Sequence, residues 1–559
     1  MTNFITRSAL WAYAQGATAK LVQTTRHIEP AQTSFLKSLL QAHQDTAFGL
    51  EHRLCEVKTI EQFRCRLPVR SYSAFAPYIE RMAAGEPNVL TAEAPIYFNS
   101  SSGSTGGKKL IPVTRRSRYC LARASQSASG FAIQAALRHN RLPGKILLPL
   151  TVKPQGQTAA GIPYAPVSTS DLRLMNRWSR QLLAHPFECA EVADATARYY
   201  LCLLFALRNP NLRVIAATFP VLALQLCQHL EDLAESLIQD IAIGEIASWI
   251  KLEPSLRERL EQQWQAAPKR AAQLDEVLKC QGRLTPQNAW PHLSFMVTAR
   301  AGSSSFYFEQ FPEYFGDLPI FGGTYACAEG TLGVHHNFNT DSTILAAESA
   351  FVEFIPEEQW QREQPQTLLP WEVTVGDRYR VVFTNYSGFC RYDLGDIVKI
   401  EGFFEQAPLM RFEHRQGGVM SATTEKTTEA HAVAVMQQLQ RSSGITLTNF
   451  CLTLPQQVMP AYYLVNIELP PGAELAEPEQ FLQQFEAIMQ AVQKNYATKR
   501  PDQIAPPRLR ILAAGSFEAL RQRMIEQGVA AAQLKFPHTT EDRHWLDGLR
   551  VEQEVQLQE

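Results

Sequence analysis

No stretch of this 559-residue chain is both long and apolar enough to be read as a membrane span. The most apolar run, Val214 to Leu224, is about half the length that a bilayer-crossing helix needs. An excess of either charge is also lacking. With 53 Lys and Arg against 55 Asp and Glu, there is no broad basic field to capture nucleic acid or an acidic membrane, and neither is expected as a partner. Ten cysteines between Cys55 and Cys451 contain no C-x-x-C pair and no regular spacing. That excludes a visible zinc pattern and points to reduced, mostly buried thiols of a cytoplasmic protein. Acids are missing before Glu29, a feature shared with transit peptides, but the apolar residues there equally fit one face of an ordinary first helix. G-x-S-x-G is absent, which removes the serine-hydrolase elbow, and so is G-x-G-x-x-G. His335-His336 has no third metal ligand at a sensible spacing and reads as surface or site-edge histidine.

What is present is globular. Charged residues make up 19% and aromatics 10%, which leaves no room for a largely disordered chain, and the length calls for two to four domains. Residues 1 to about 90 read as helices. From there, short β-rich runs alternate with long amphipathic segments: PIYFN, KILLPLTV at 145–152, RVIAATFP at 213–220, LSFMVTA at 293–299 and LPIFGG at 318–323. This pattern predicts a mostly parallel α/β core with ligands at the strand C-terminal ends. Between 348 and 404 the strands are closely spaced, as expected of an antiparallel subdomain. After 415 the pattern restarts as a compact α+β unit. Its helix over 479–497 places Phe481, Leu482, Phe485, Ile488, Met489 and Val492 on one face.

One loop carries the chemistry. From Asn99 to Gly107 the chain contains only Asn, Ser, Gly and Thr, and Lys108-Lys109 follow. Glycine lets backbone N–H groups approach an anion, hydroxyls add donors and lysine adds charge, so such a loop can wrap phosphate. It is not the kinase-type phosphate loop, because Ser102 stands where that pattern requires the first glycine. The order SSGSTGG followed by lysine resembles the loop of adenylate-forming enzymes. TYACAEG at 324–330 and CRYDLGDIV at 390–398 follow in the order that superfamily uses. Together with FVEFIP, PLMRFEHR and AAQLKFP, these blocks resemble the Gretchen Hagen 3 family, the auxin-responsive acyl acid amido synthetases. Divergence from the plant sequences suggests a bacterial member.

The resemblance implies a fold and a division of labour. The fold is α/β, a large firefly-luciferase-like N-terminal domain over 1–415 with a small mobile α+β C-terminal domain over 416–559. The activity is ATP- and Mg²⁺-dependent adenylation of a carboxylic acid and transfer of its acyl group to an amine such as an amino acid. The alternative is an acyl-CoA ligase or stand-alone adenylation enzyme with a thiol acceptor. By the same resemblance Ser101, Ser102, Gly103, Ser104, Thr105 and Gly106 contact the phosphates and Lys109 closes the loop. Thr324, Tyr325, Ala326, Cys327, Ala328 and Glu329 form the nucleotide shelf, with Tyr325 against adenine and Glu329 toward Mg²⁺. Cys327 and Ala328 replace small hydroxyl residues usual in relatives. Asp396 accepts the ribose hydroxyls, Arg415 lies where the chain leaves the large domain, with a Gly417-Gly418 hinge after it, and Lys535 is the small domain's catalytic cation. Val167, Ser168 and Thr169 lie where relatives contact acyl or amino substrate. Read without the resemblance, Glu329 is an ordinary helix-start carboxylate.

Overall fold

Helix caps fix the first part of the chain. The Thr46 and Thr59 hydroxyls accept the backbone N–H of Gly49 and Gln62, closing the starts of the helices Ala47–Glu51 and Ile60–Arg66. With Thr2–Thr25, Ile28–His43 and Tyr72–Ala83 they precede any strand, as the sequence predicts. Thr2–Thr25 packs along Arg115–Arg138, where a Cβ on Gly130 would meet the Thr18 methyl at 2.8 Å. That close approach lets Gln134 reach the Thr18 hydroxyl at 3.0 Å.

The computed structural model describes residues 2–102, 108–302, 304–415, 419–422, 425, 427–456, 461–501, 504–527, 529, 531 and 534–557. They form two units. The larger comprises Met1–Arg300, Tyr307–Leu394 and Val398–Arg411; the smaller comprises Ala301–Phe306, Gly395–Ile397 and Phe412–Glu559.

The larger unit contains a parallel sheet in the order Ile146–Leu147, Val214–Ala216, Phe295–Val297, Ile320–Phe321. These strands are much shorter than the apolar runs that announce them. Proline explains two of the endings: Pro149 has no N–H for a ladder, and Pro220 opens the helix Pro220–Asp232.

PIYFN does not join this parallel core. Tyr97–Ser102 instead pairs antiparallel with Lys108–Val113, from Tyr97↔Val113 to Ser102↔Lys108, within a separate four-stranded sheet. The short link over 103–107 dictates this, since a parallel connection needs a crossover of roughly a dozen residues or more.

The antiparallel subdomain is present and broader than its sequence signal. Seven strands run in the order Phe351–Pro356, Arg378–Thr384, Tyr392–Phe404, Ala407–Arg415, Ser342–Leu345, Thr331–His335, Thr324–Ala326. In the smaller unit the sheet order is Asn449–Thr453, Leu464–Glu468, Arg508–Leu512, Val551–Gln556. The helix Pro478–Val492 provides the crossover between the parallel middle pair and buries Phe481, Leu482, Phe485 and Met489. It ends at Val492, and Lys494–Lys499 forms a separate turn of helix, so the expected single helix over 479–497 is broken at Gln493.

Candidate active site

The hydroxyl-rich run begins in the strand Tyr97–Ser102, which pairs with Lys108–Val113. Gly103, Ser104, Thr105, Gly106 and Gly107 lie outside the described residues, and of Ser101 and Ser102 only the backbone is described, paired with Lys109 and Lys108. At the returning strand the Lys109 ammonium sits 5.2 Å from the centre of the Tyr72 ring, a cation–π distance. The Tyr72 hydroxyl in turn donates to Leu110 O and accepts from Leu110 N, both at 3.0 Å, which locks the ring against the hairpin. Burial raises the phenol's pKa, and the negative charge of Glu329 adds to the rise. Lys109 and Glu329 therefore both act on the same ring.

Asn99, a residue the sequence reading left without a role, ties the hairpin to the second motif. Its Nδ2 donates to Ala328 O at 3.0 Å, while its Oδ1 is buried without a partner among the described residues. Only its place at the head of the hydroxyl run could have drawn attention to it.

Thr324–Ala326 is the edge strand of the seven-stranded sheet, and the chain turns at Cys327–Gly330 into Thr331–His335. Cys327 closes the turn: its N–H and its thiol both donate to Gly330 O, at 2.9 and 3.3 Å. The thiol thus bonds within its own turn, where relatives' hydroxyls would be sought as ligand contacts. Tyr325 is half-buried and Ala326 exposed. Glu329 is 6% exposed; its Oε1 accepts the Tyr392 hydroxyl at 3.0 Å and its backbone O accepts Asn385 Nδ2 at 2.7 Å. It lies in a turn between strands, so the reading as a helix-start carboxylate is wrong. The apolar run before this motif passes Gly322, where a Cβ would lie 2.3 Å from His335 Nε2. His335 is buried, which excludes the surface reading but not the site-edge one, and burial together with Arg300 lowers its pKa to about 4.

Tyr392 owes its position to an ion pair joining two of the sequence blocks. Arg391, from CRYDLGD, contacts both carboxylate oxygens of Glu353, from FVEFIP, at 3.1 Å, and Glu353 is 0% exposed. Arg391 also donates to Arg64 O and Leu67 O at 3.0 and 2.7 Å and to Thr367 Oγ1 at 3.0 Å. These contacts hold Arg391 at a φ of 51°, a left-handed conformation that costs a residue with a Cβ about 1 kcal/mol or more. Both blocks were visible in the sequence; the partnership between them was not.

In the smaller unit Asp396 is buried, and its Oδ1 accepts Arg415 Nε at 2.6 Å. Arg415 is half-exposed, so its charge remains in contact with water. Lys535 is also partly exposed and lies 3.4 Å from Glu429 Oε2, at the start of the helix Glu429–Ser443. Glu429 Oε1 accepts the backbone N–H of His538 at 3.0 Å. Burial works against the Glu429 charge, but Lys535 and His538 outweigh it and leave the carboxyl below its ordinary pKa. Gly417, Gly418 and Gln533 lie outside the described residues.

Val167, Ser168 and Thr169 make the first turn of the helix Val167–Arg173, with Thr169 buried and the other two half-buried. Two residues on, Asp171 pairs with Arg118 of the helix Arg115–Arg138 at 2.9 Å. Burial, reinforced by Asp171, pushes the Tyr97 phenol up to about 12.

The larger unit thus presents a lysine-bearing hairpin tied to a turn with a buried carboxylate, a combination suited to phosphate and a hard cation. The smaller unit presents a buried carboxylate and a lysine held by another acid. Comparison with known proteins matches the GH3 family N-terminal domain to residues 17–320, its central domain to 343–415 and its C-terminal domain to 430–544. The chain is 26% identical to indole-3-acetic acid-amido synthetase GH3.17 of Arabidopsis thaliana, covering 92% of each. It is 25% identical to the 4-substituted benzoates-glutamate ligase GH3.12 of the same plant, covering 93% of this chain and 94% of the relative. Among solved structures, the GH3.15 acyl acid amido synthetase superposes with a TM-score of 0.85 at 23% identity over 97% of both chains. A 2-hydroxyisobutyryl-CoA ligase in the postadenylation state gives a TM-score of 0.53 at 13% identity, covering 92% of this chain and 90% of its own, a likeness of fold.

Proposed function

We propose, on the premise that this chain belongs to the GH3 family, that it activates a carboxylic acid with ATP and joins it to an amine. A carboxylate resists nucleophiles because the attacking pair meets an anion. Its oxygen attacks the α-phosphorus of ATP, pyrophosphate leaves, and the resulting acyl-adenylate is neutral at the acyl carbon. The amine then adds to that carbon, AMP departs with the C–O bonding pair, and the amine loses a proton. The products are an amide, AMP and pyrophosphate.

The hairpin hydroxyls and N–H groups, with Lys109, hold the phosphates. Tyr325 backs the adenine, Asp396 accepts the ribose hydroxyls and Arg415 orients Asp396. Lys535 counters the charge that grows at phosphorus. Mg²⁺, when bound with the nucleotide, supplies Lewis-acid neutralisation of the phosphate oxygens. Glu329 suits it: the carboxylate is a hard oxygen donor, oriented by Tyr392 and set beside the hairpin through the Asn99–Ala328 bond. Val167, Ser168 and Thr169 belong to the wall that meets the organic substrates, an acid and, by analogy with the glutamate ligase, an amino acid.

The observation that carries this reading is the Asn99–Ala328 bond, which joins the phosphate hairpin to the carboxylate turn. A panel of carboxylic acids, incubated with ATP, Mg²⁺ and pooled amino acids, tests it. Acid-dependent AMP and an amide of matching mass are expected; no AMP with any acid would remove the proposal.

A further inference from the structure

Away from these motifs, three side chains of metal-binding type meet inside the larger unit. His185 precedes the 3-10 turn Phe187–Glu191, which carries Cys189, and Cys202 lies within the helix Ala195–Leu207. His185 is 4% exposed and both cysteines 0%. Their ligand atoms lie within 4.8 Å of one another. None has a part in adenylation or amide formation. A buried cysteine is commonly just a small hydrophobic side chain, but two thiols converging on an imidazole form a donor set.

We propose that His185, Cys189 and Cys202 bind one thiophilic d10 metal ion, zinc(II) or copper(I), inside the larger unit. Thiolate sulfur and imidazole nitrogen are the ligands such ions prefer. Metal–ligand bonds of about 2.3 Å to sulfur and 2.0 Å to nitrogen place donor atoms about 3.5 to 3.8 Å apart around a tetrahedral centre, so the cluster needs a contraction of at most about 1.3 Å.

The imidazole is already oriented by backbone. Nδ1 lies 3.0 Å from Pro186 O and Nε2 3.1 Å from Leu148 O. A metal-bound histidine characteristically gives its other N–H to a carbonyl, so one contact remains while the other nitrogen turns to the ion. The carbonyl thus released is available as a fourth, oxygen ligand for zinc(II). Copper(I) is satisfied by three soft donors. The neighbouring buried cation Arg198 directs its Nη1 to backbone, donating to Val192 O and Ala193 O at 2.8 and 3.0 Å, while its charge is felt at the Cys202 sulfur. His185 also lines a surface groove with Gln181, Ala184, Phe187 and Phe205, so the histidine end of the cluster borders solvent-facing space. The cluster carries no local sequence signature, because its ligands are separated by three and twelve residues, with no C-x-x-C.

The test uses the full-length, reduced, metal-free protein titrated with cobalt(II), a spectroscopic substitute for zinc(II). Uptake of one cobalt per chain is expected, with a thiolate-to-cobalt charge-transfer band that one equivalent of zinc(II), or of chelator-buffered copper(I), abolishes. Which ion displaces cobalt at the lower free concentration identifies the preferred ion. A Cys189→Ser, Cys202→Ser double variant should lose the band. Replacing the exposed Cys55, Cys65 and Cys280 by Ser should leave it unchanged. Should the core variant not fold, X-ray absorption on the metal-loaded wild type is expected to show two sulfur neighbours and one imidazole nitrogen. Substoichiometric binding, a band lost with the exposed cysteines, or a metal without sulfur neighbours would overturn the proposal.

Discussion

Replacing Asp396 by alanine should weaken the use of ATP without unfolding the protein. The carboxylate is 3% exposed and already accepts Arg415 Nε at 2.6 Å. A carboxylate's two oxygens offer about four acceptor sites, the number that suits it to the paired hydroxyls of a ribose. Each hydrogen bond to a charged acceptor contributes about 1.5 to 3 kcal/mol. Losing one corresponds to about a 10- to 150-fold weakening. The two bonds share one acceptor group, so their losses do not simply add. The expected result is therefore a rise of at least about tenfold in KM for ATP. Arg415 is half-exposed, so alanine at 396 leaves a solvated cation and not a buried orphan. Asp396→Asn keeps an acceptor oxygen and should fall between wild type and alanine. The assay is initial-rate pyrophosphate release against ATP concentration at saturating acid, with Tm measured alongside. An unchanged KM with an unchanged Tm would remove Asp396 from the nucleotide site.

Lys535→Ala should slow acyl-adenylate formation by about two to three powers of ten, as expected for a cation acting on transition-state charge. Conversion of supplied acyl-adenylate to amide should stay largely intact; rapid-quench measurement of the two half-reactions checks this, and equal loss in both would refute the assignment. Arg391→Met should destabilise the larger unit by about 1.5 to 3 kcal/mol, because it leaves the fully buried Glu353 carboxylate with only Arg64 Nε at 3.1 Å and the Thr367 hydroxyl at 2.6 Å as side-chain partners among the described residues. Denaturant titration measures this, and adding Glu353→Leu to the same chain should recover much of the loss. Stability should also fall with acid. His43 and His335 have pKa values lowered by burial to about 4 in the folded state from 6.5, despite the opposing charge of Glu93 at His43. The unfolded chain therefore binds more protons between those pH values. Their contribution is complete above pH 6.5 and is lost as pH falls toward 4. It should be on the order of 3 kcal/mol per histidine. His335→Gln should flatten the pH dependence of unfolding in that window, and an unaltered slope would show that His335 does not titrate there.

Local signals served the sequence well where periodicity or turn chemistry decided the outcome. The helices before residue 90, the antiparallel strands after 348 and the amphipathic helix of the smaller unit all follow from spacing of apolar residues. Misassignments arose where partners decide. PIYFN reads as a core strand, but its antiparallel partner Lys108–Val113 is chosen by the shortness of the link that follows it, and its parallel partner is Pro163–Ala165, outside the expected core. The final strand Val551–Gln556 is mostly exposed and glutamate-rich, so it carries no apolar run to announce an edge strand. The motif blocks marked out site residues, yet the bonds between blocks were invisible. Glu353 with Arg391, Asn99 with Ala328 and Glu329 with Tyr392 are each separated by dozens to hundreds of residues, and no local pattern encodes such pairings.

The central claim is that the adenylate is discharged by an amine. A single-turnover experiment tests it most directly: enzyme, ATP, Mg²⁺ and an accepted radiolabelled acid are allowed to form acyl-adenylate, which is then chased with equal concentrations of pooled amino acids and coenzyme A. The account predicts that label passes from acyl-adenylate to an amide at the rate AMP is released, with coenzyme A unacylated. Label appearing in the thioester, while the amino acids leave the adenylate intact, would contradict it.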